Sequence, residues 1–316
     1  MRSTSHILVI NGTKVRRPVF ILGAPHSGAD LLARAVKRST GFHLTAGRPG
    51  VLRVTYAFAR RPSIATERER GAARVLRDAY AEAWQITERG CAECPAECRE
   101  LSGLRPRHGD DDLDGPCVEP RGVQRFADAS PDLLYSADVL LDAFPDAQLL
   151  QVIRDGRDVV ADMMGDERCL AWFRPGLSNL NEVFPNPFLG VEEVAERDKW
   201  PRAAMAVRCA LRWRGSVRLS ARLRAQTPNE QLFTVRYEDL IARPGEVAGA
   251  VSGYLGTPIS KVALSGGLVR TGDREADERK VGAWRDRLTA RQVVQVEKVA
   301  GTELARLGYS LSTPAG

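Results

Sequence analysis

The chain has 316 residues, of which 43% are hydrophobic and 27% charged, and it carries a formal net charge of +6. That length allows one large domain or two ordinary ones, and that apolar share supports a sizeable core and excludes general disorder. No apolar run approaches the ~20 residues a bilayer requires, no segment has a secretory layout, and the basic excess is dispersed Arg with no Lys/Arg tail. No transmembrane segment is therefore expected, a cytoplasmic location is expected, and no nucleic-acid partner is called for. The charge suits a small anionic ligand.

In chain order, residues 6–10 and 18–22 read as two strands joined by Asn11-Gly12, a strong hairpin signal. Val19-Phe20-Ile21-Leu22 is a short buried strand that Gly23 ends. Gly23-Ala24-Pro25-His26-Ser27-Gly28 then reads as a tight loop opening a helix over 28–38, with Leu31, Leu32, Ala35 and Val36 on one face. A strand, a glycine-bearing loop and a helix start gather backbone N–H groups around one point, which makes an anion site, or else a plain strand-to-helix turn. Ser27 adds a hydroxyl and His26 a positive charge. The pattern Gly-x-x-x-x-Gly-Lys-Ser/Thr is absent, which disfavours a small-molecule kinase.

Residues 41–50 read as a loop, 51–60 carry no clear pattern, and Ser63 is placed to cap a helix reaching about Thr87. Residues 89–122 break the pattern with Gly, Pro, four cysteines and an acidic run. Val123–Ala127 is a strand, Ser130 and Pro131 open a helix to Ala143, and Gln148–Ile153 is a second buried strand. Arg154–Asp158 forms a charged loop before the helix Val159–Met164. An irregular stretch, 165–198, holds Trp172, Phe173, Phe184 and Phe188, which read as an acceptor-pocket wall or a satellite core. A helix over 201–225, a strand Leu232–Val235 and a final helix 290–307 complete the chain.

Strands alternating with helices predict a three-layer α/β fold with a central parallel sheet, as one domain over 1–316 with a small Cys-rich insertion at 89–122. Ligands in such sheets bind beyond the carboxyl ends of the strands. Gly23–Gly28, Asp128–Ser130 and Arg154–Asp158 occupy three such ends. Six cysteines in this setting do not suggest a disulfide framework. Cys91, Cys94, Cys98 and Cys117 instead have the spacing of a structural zinc site, with His108 as an alternative to Cys117. Unligated thiols, an iron–sulfur cluster and a redox pair are the other readings.

Four separated segments resemble the sulfotransferases that use 3′-phosphoadenosine 5′-phosphosulfate (PAPS). Gly23–Gly28 is similar to the loop that holds the 5′-phosphosulfate. Phe144-Pro145-Asp146-Ala147 with Val152–Val160 is similar to the strand–loop–helix whose Arg, here Arg154, binds the 3′-phosphate. Val235–Leu240 resembles the segment whose Tyr, here Tyr237, lies near the adenine. Arg279-Lys280-Val281-Gly282-Ala283-Trp284-Arg285 resembles the basic loop that closes on the 3′-phosphate. The resemblance spans roughly 18–308. It implies a sheet fold related to nucleotide kinases, PAPS as co-substrate, and sulfuryl transfer to a hydroxyl or amine of a small-molecule, carbohydrate or lipid acceptor. A catalytically inactive scaffold that keeps the fold is the alternative.

The chain departs from the family pattern at four places. His26 stands where an Arg or Lys is usual, Ala29-Asp30 where Thr-Thr is usual, Asp162 where a Ser for the 3′-phosphate is usual, and Ala129 where many members have a Lys. Asp30 is expected to cap its own helix or to pair with His26, and Asp162 to pair with Arg154 or Arg157. His26 and Asp128 are the candidate catalytic residues, with His43 and His108 behind them. Gly23, Ala24, Pro25, His26, Ser27, Gly28, Arg154, Tyr237, Arg279, Lys280 and Gly282 are the candidate cofactor-binding residues.

Overall fold

A computed structural model describes residues 7–60, 69–102, 115–116, 118–261, 264 and 281–312. Near the start, β1 (Val9–Ile10) and β2 (Thr13–Lys14) pair antiparallel across Asn11-Gly12, whose positive φ angles of 46° and 83° suit the tight turn. The hairpin turn is therefore where its signal lies, but its second arm is 13–14 and not 18–22. Val19–Gly23 is instead β3, the central strand of the main sheet.

The remaining elements follow as α1 (Ala29–Lys37), β4 (Phe42–Thr45), α2 (Pro49–Arg60), α3 (Glu69–Ala83), α4 (Ala96–Ser102), β5 (Arg125–Asp128), α5 (Ala137–Ala143) and β6 (Gln148–Ile153). Next come α6 (Gly156–Met163), α7 (Glu167–Ala171), α8 (Val194–Lys199), α9 (Met205–Gln226), β7 (Leu232–Arg236), α10 (Tyr237–Ala242), α11 (Pro244–Leu255), α12 (Trp284–Arg287) and α13 (Ala290–Arg306). The main sheet is five-stranded and parallel, in the order β4-β5-β3-β6-β7. The expected three-layer α/β fold is what the chain adopts.

Successive residues of β3 face opposite layers, as the pleat requires. Val19 and Ile21 pack with Leu32, Val36, Leu150, Val152, Val235, Leu240 and Val251, closing the face covered by α1, α10 and α11. Phe20 and Leu22 pack with Leu76, Tyr80, Trp84, Phe126, Leu140 and Phe144 on the face covered by α3 and α5. A third cluster joins α6, α9 and α13 through Val160, Met163, Ala210, Trp213, Val296 and Leu304.

Two further sequence-based expectations change. Phe42–Thr45, read as loop, is edge strand β4, because Leu44 and its neighbours are buried and pair with β5 from Phe42↔Arg125 to Thr45↔Asp128. Ser130 does not cap the helix ending at Ala143; a turn of 3-10 helix at Leu133–Ser136 intervenes and α5 starts at Ala137. The described part of 89–122 is built onto the domain, since α4 packs on α1 and buries Cys98 and Leu101. Ser63, His108 and the run 110–114 lie outside the described residues.

Candidate active site

β3 ends at Gly23 and the chain turns through Ala24–Gly28 into α1, with the Ser27 N–H donating to the Ala24 carbonyl at 3.0 Å. His26 holds φ of 61° and Gly28 φ of 90°. The left-handed region costs a side-chain-bearing residue about 1–2 kcal/mol, so His26 is strained and must be held there. Gly28 has a second reason to be glycine: a Cβ there would come within 2.2 Å of the Tyr237 ring. Ser27 is buried, and its hydroxyl has no hydrogen-bond partner among the described residues. A small cleft at the carboxyl ends of β3 and β6 is bounded by Ala24, Ser27, Gln151, Arg154, Trp213 and Ser220, which is where ligands of open parallel sheets sit.

Arg154 follows β6 and is 3% exposed. One of its terminal nitrogens donates to the His26 carbonyl at 2.9 Å and to Asp162 Oδ2 at 2.6 Å, and its guanidinium lies 4.5 Å from the Tyr237 ring centroid. One arginine thus fixes the loop, stacks on the tyrosine that packs against Gly28, and meets a carboxylate. Asp162 also accepts from Arg287 through its other oxygen. Burial alone would raise the Asp162 carboxyl, but the two arginines more than offset it and hold it below the usual carboxylate range. Of the two expected partners of Asp162, Arg154 is the one it takes. Arg157 is occupied by Asp155 and Glu297 and stacks at 4.1 Å on the Trp284 ring.

The late segment is tied to the same region. Asp158 accepts from the N–H groups of Gly282 and Trp284, both at 2.8 Å. Burial raises its carboxyl, although those two bonds favour the charged form. Gly282 is thereby placed beside α6. Arg279 and Lys280 lie outside the described residues.

On the other side of the loop, His26 Nε2 is 3.1 Å from Asp166 Oδ2 and 3.7 Å from the Cys169 sulfur. Asp166 caps α7, accepting from the Arg168 N–H at 2.9 Å. Burial acts to raise its carboxyl, but that bond, Cys169 and His26 hold it below the usual range, while burial pushes the Cys169 thiol up to about 12. The expected partner of His26 was Asp30. The structure brings Asp166 to it instead and leaves Asp30 exposed, 3.9 Å from Arg34 one turn along α1. Gly28, not Asp30, is the N-cap of α1.

Asp128 is 0% exposed and accepts from Thr45 Oγ1 at 2.6 Å, the Ser130 N–H at 2.8 Å and the Tyr80 hydroxyl at 3.3 Å. Burial pushes its carboxyl up to about 6 against these bonds. It has no face open to an acceptor and acts as the junction between the ends of β4 and β5. His43 is buried in β4 against the Phe126 ring, with neither ring nitrogen hydrogen-bonded among the described residues. Ala129 packs into the core beside β5.

The aromatic residues of 165–198 divide. Phe173 and Phe188 are core, while the half-buried Trp172 packs tilted against Tyr56 at 4.9 Å and edge-on to Phe188 at 5.3 Å. Beneath them Arg212, 1% exposed, holds Asp132 at 3.0 and 3.1 Å and lies 4.5 Å from the Phe188 ring, leaving Nε and one terminal nitrogen without partners among the described residues. Asp166, Cys169, Asp132 and Arg212 escaped the sequence reading because their partners lie 80 or more residues away. The one local clue was Gly165-Asp166 before a helical stretch, an N-cap signal that places Asp166 and Cys169 on one face.

Of the four candidate zinc ligands, two are described. Cys94 and Cys98 are buried and their thiols are hydrogen-bonded, with Lys37 Nζ 3.4 Å from the Cys98 sulfur and Arg48 3.5 Å from that of Cys94. The Cys91 side chain and Cys117 lie outside the described residues.

A parallel sheet with a glycine-bearing loop after its central strand, and an arginine after the neighbouring strand turned back onto that loop, defines an α/β protein with a candidate ligand site at the carboxyl ends of its strands. The sequence pattern described as the sulfotransferase family matches residues 18–261, and the chain belongs to that family. Similar solved structures include a sulfotransferase of Mycobacterium avium (14% identity, 94% of this chain and 78% of that one, TM-score 0.47). The sulfotransferase domain of the olefin synthase of Synechococcus is another (16%, 95% and 97%, TM-score 0.49). A mouse sulfotransferase complexed with PAP is a third (13%, 96% and 91%, TM-score 0.46). No curated protein sequence matches the chain.

Proposed function

We propose that this enzyme transfers a sulfuryl group from PAPS to a hydroxyl or amine of a small-molecule, carbohydrate or lipid acceptor. Family membership supports the transferase class. The observation that carries the nucleotide reading is the convergence of the Gly23–Gly28 loop, Arg154 and Tyr237 at the carboxyl ends of β3, β6 and β7.

In this reading the 5′-phosphosulfate lies against the loop's N–H groups and Ser27, and the 3′-phosphate against Arg154, with Arg279, Lys280 and Gly282 closing over it. The acceptor oxygen or nitrogen attacks sulfur, the bond from sulfur to the bridging phosphate oxygen breaks, and the adenosine bisphosphate leaves with that electron pair. A proton on His26 Nε2 facing Asp166 leaves Nδ1 with the lone pair that takes the acceptor's proton. Asp128 serves by holding the strand ends. Trp172, Tyr56 and the Arg212–Asp132 pair border the acceptor side. A structural zinc on Cys91, Cys94, Cys98 and Cys117 belongs to the same proposal; metal analysis of the Cys94→Ser variant tests it.

The deciding experiment is calorimetry with adenosine 3′,5′-bisphosphate, with AMP and ATP as controls. Micromolar binding that the Arg154→Ala variant loses by about 100-fold or more is the expected result. Equal binding of AMP, or an unchanged affinity in the variant, would sink the assignment.

A further inference from the structure

His26 Nε2, a carboxylate oxygen of Asp166 and the Cys169 sulfur all lie within 4.8 Å of one another. The donor set is one imidazole, one carboxylate and one thiol, the mixture that borderline-soft divalent cations select. The spacing also suits such an ion. With zinc–ligand bonds of about 2.0–2.1 Å to nitrogen and oxygen and 2.3 Å to sulfur, tetrahedral angles separate nitrogen from oxygen by ~3.3 Å and nitrogen from sulfur by ~3.6 Å. The observed separations are 3.1 and 3.7 Å.

The frame that carries these donors is already fixed. Asp166 and Cys169 stand three residues apart across the first turn of α7, and the other Asp166 oxygen is held by the Arg168 N–H. His26 is held in its left-handed conformation with its carbonyl bonded to Arg154. The His26 and Asp166 side chains are 30% and 18% exposed, so an ion can reach them, and the sulfur is buried behind. The nearby Arg212 charge is matched by Asp132.

We propose that His26, Asp166 and Cys169 form a binding site for a soft divalent cation of the zinc type. Three protein ligands leave a fourth position for water or an anionic oxygen, the arrangement of open rather than purely structural sites. A thiolate and a carboxylate neutralise the ion, and binding releases the thiol proton. The ion would stand beside a loop, Gly23–Gly28, that contains no Lys or Arg of its own. With metal on Nε2 the imidazole is a ligand and not the proton acceptor, so metal binding also decides between two roles for His26.

The test uses the full chain, stripped with a chelator and titrated with zinc against a chromophoric competitor, then with cobalt to read the thiolate-to-cobalt charge-transfer band. A Cys94→Ser/Cys98→Ser background removes the other cysteine pair. Expected there is one zinc per chain with a thiolate band. Adding Cys169→Ser abolishes the band and weakens zinc by more than ~100-fold, beyond what outer-shell partners alone contribute. No zinc in that background, or a site indifferent to Cys169→Ser, overturns the proposal and leaves a plain hydrogen-bonded trio. Should that background not fold, His26→Ala in the otherwise unaltered chain is expected to lose one equivalent of zinc, and unchanged stoichiometry refutes the site. Bisphosphate binding by the chelator-treated protein is measured separately, so failure of the metal site is not confused with failure of the nucleotide site.

Discussion

Asp162 holds Arg154 and Arg287 with its two carboxylate oxygens, so a phosphate that seeks Arg154 competes with a resident counter-ion. Replacing it with the shorter neutral hydroxyl, Asp162→Ser, is expected to tighten adenosine 3′,5′-bisphosphate about 10-fold by calorimetry. The same change is expected to lower stability by about 1–3 kcal/mol in urea, because two arginines lose a partly buried partner. Tighter binding without that loss, or weaker binding, would contradict the arrangement. Asp128 makes the opposite kind of statement. Its folded-state carboxyl is raised to about 6, so the folded chain takes up the proton before the unfolded chain does. Its charged form penalises folding at neutral pH, and the penalty is relieved as pH falls through about 6 towards 4, to the extent of about 2–3 kcal/mol. The pH dependence of the denaturation midpoint between 7 and 4.5 should therefore differ in that sense between the native chain and Asp128→Asn; identical profiles would refute it. His26, Arg154 and Tyr237 were legible because each sits in a short segment with its own pattern. Asp166 and Cys169 were not, since what makes them matter is a loop 140 or more residues earlier.

Among elements, β3 and β6 announced themselves through runs of buried apolar residues, and both are where the sequence placed them. Edge strand β4 did not, because four residues between glycine-containing turns have too little length for a period to show, and its identity comes from pairing with β5. The long helix α9 was legible over most of its length, whereas α2 was not. Its buried residues, Val51, Thr55, Phe58 and Ala59, keep helical spacing, but the apolar Leu52, Val54 and Tyr56 between them blur the period. The element with the most direct bearing on the site is α12 with its preceding turn. Asp158 accepts from both the Gly282 and Trp284 N–H groups, so Asp158→Ala takes the acceptor away from two donors at once. A stability loss of about 2–4 kcal/mol is expected in urea, together with faster proteolytic cleavage near residues 281–287. Unchanged cleavage would show that the segment is held by other contacts.

Across the whole molecule, the net charge of +6 favours an anionic ligand through long-range attraction. Bisphosphate affinity should fall steadily as ionic strength rises from about 0.05 to 0.5 M, as the screening length contracts below ~10 Å. A salt-independent affinity would mean that the net charge contributes nothing. Among the described residues no helix is long and apolar enough to cross a membrane. The three-layer architecture was legible because alternation of strand and helix survives mistakes at individual boundaries; the strand order is not written in any one segment. That order has a consequence for synthesis. The central strand β3 emerges early, yet its neighbour β6 follows more than a hundred residues later, and Tyr237, Arg287 and the anchors Glu297 and Ser310 for Arg157 come later still. A growing chain on the ribosome therefore carries the loop Gly23–Gly28 long before it carries the groups that shape it. Under the proposed function, nucleotide meets a complete site only once β7 and the 281–287 segment have been made, and a chain stalled before them has no such ligand to rescue it.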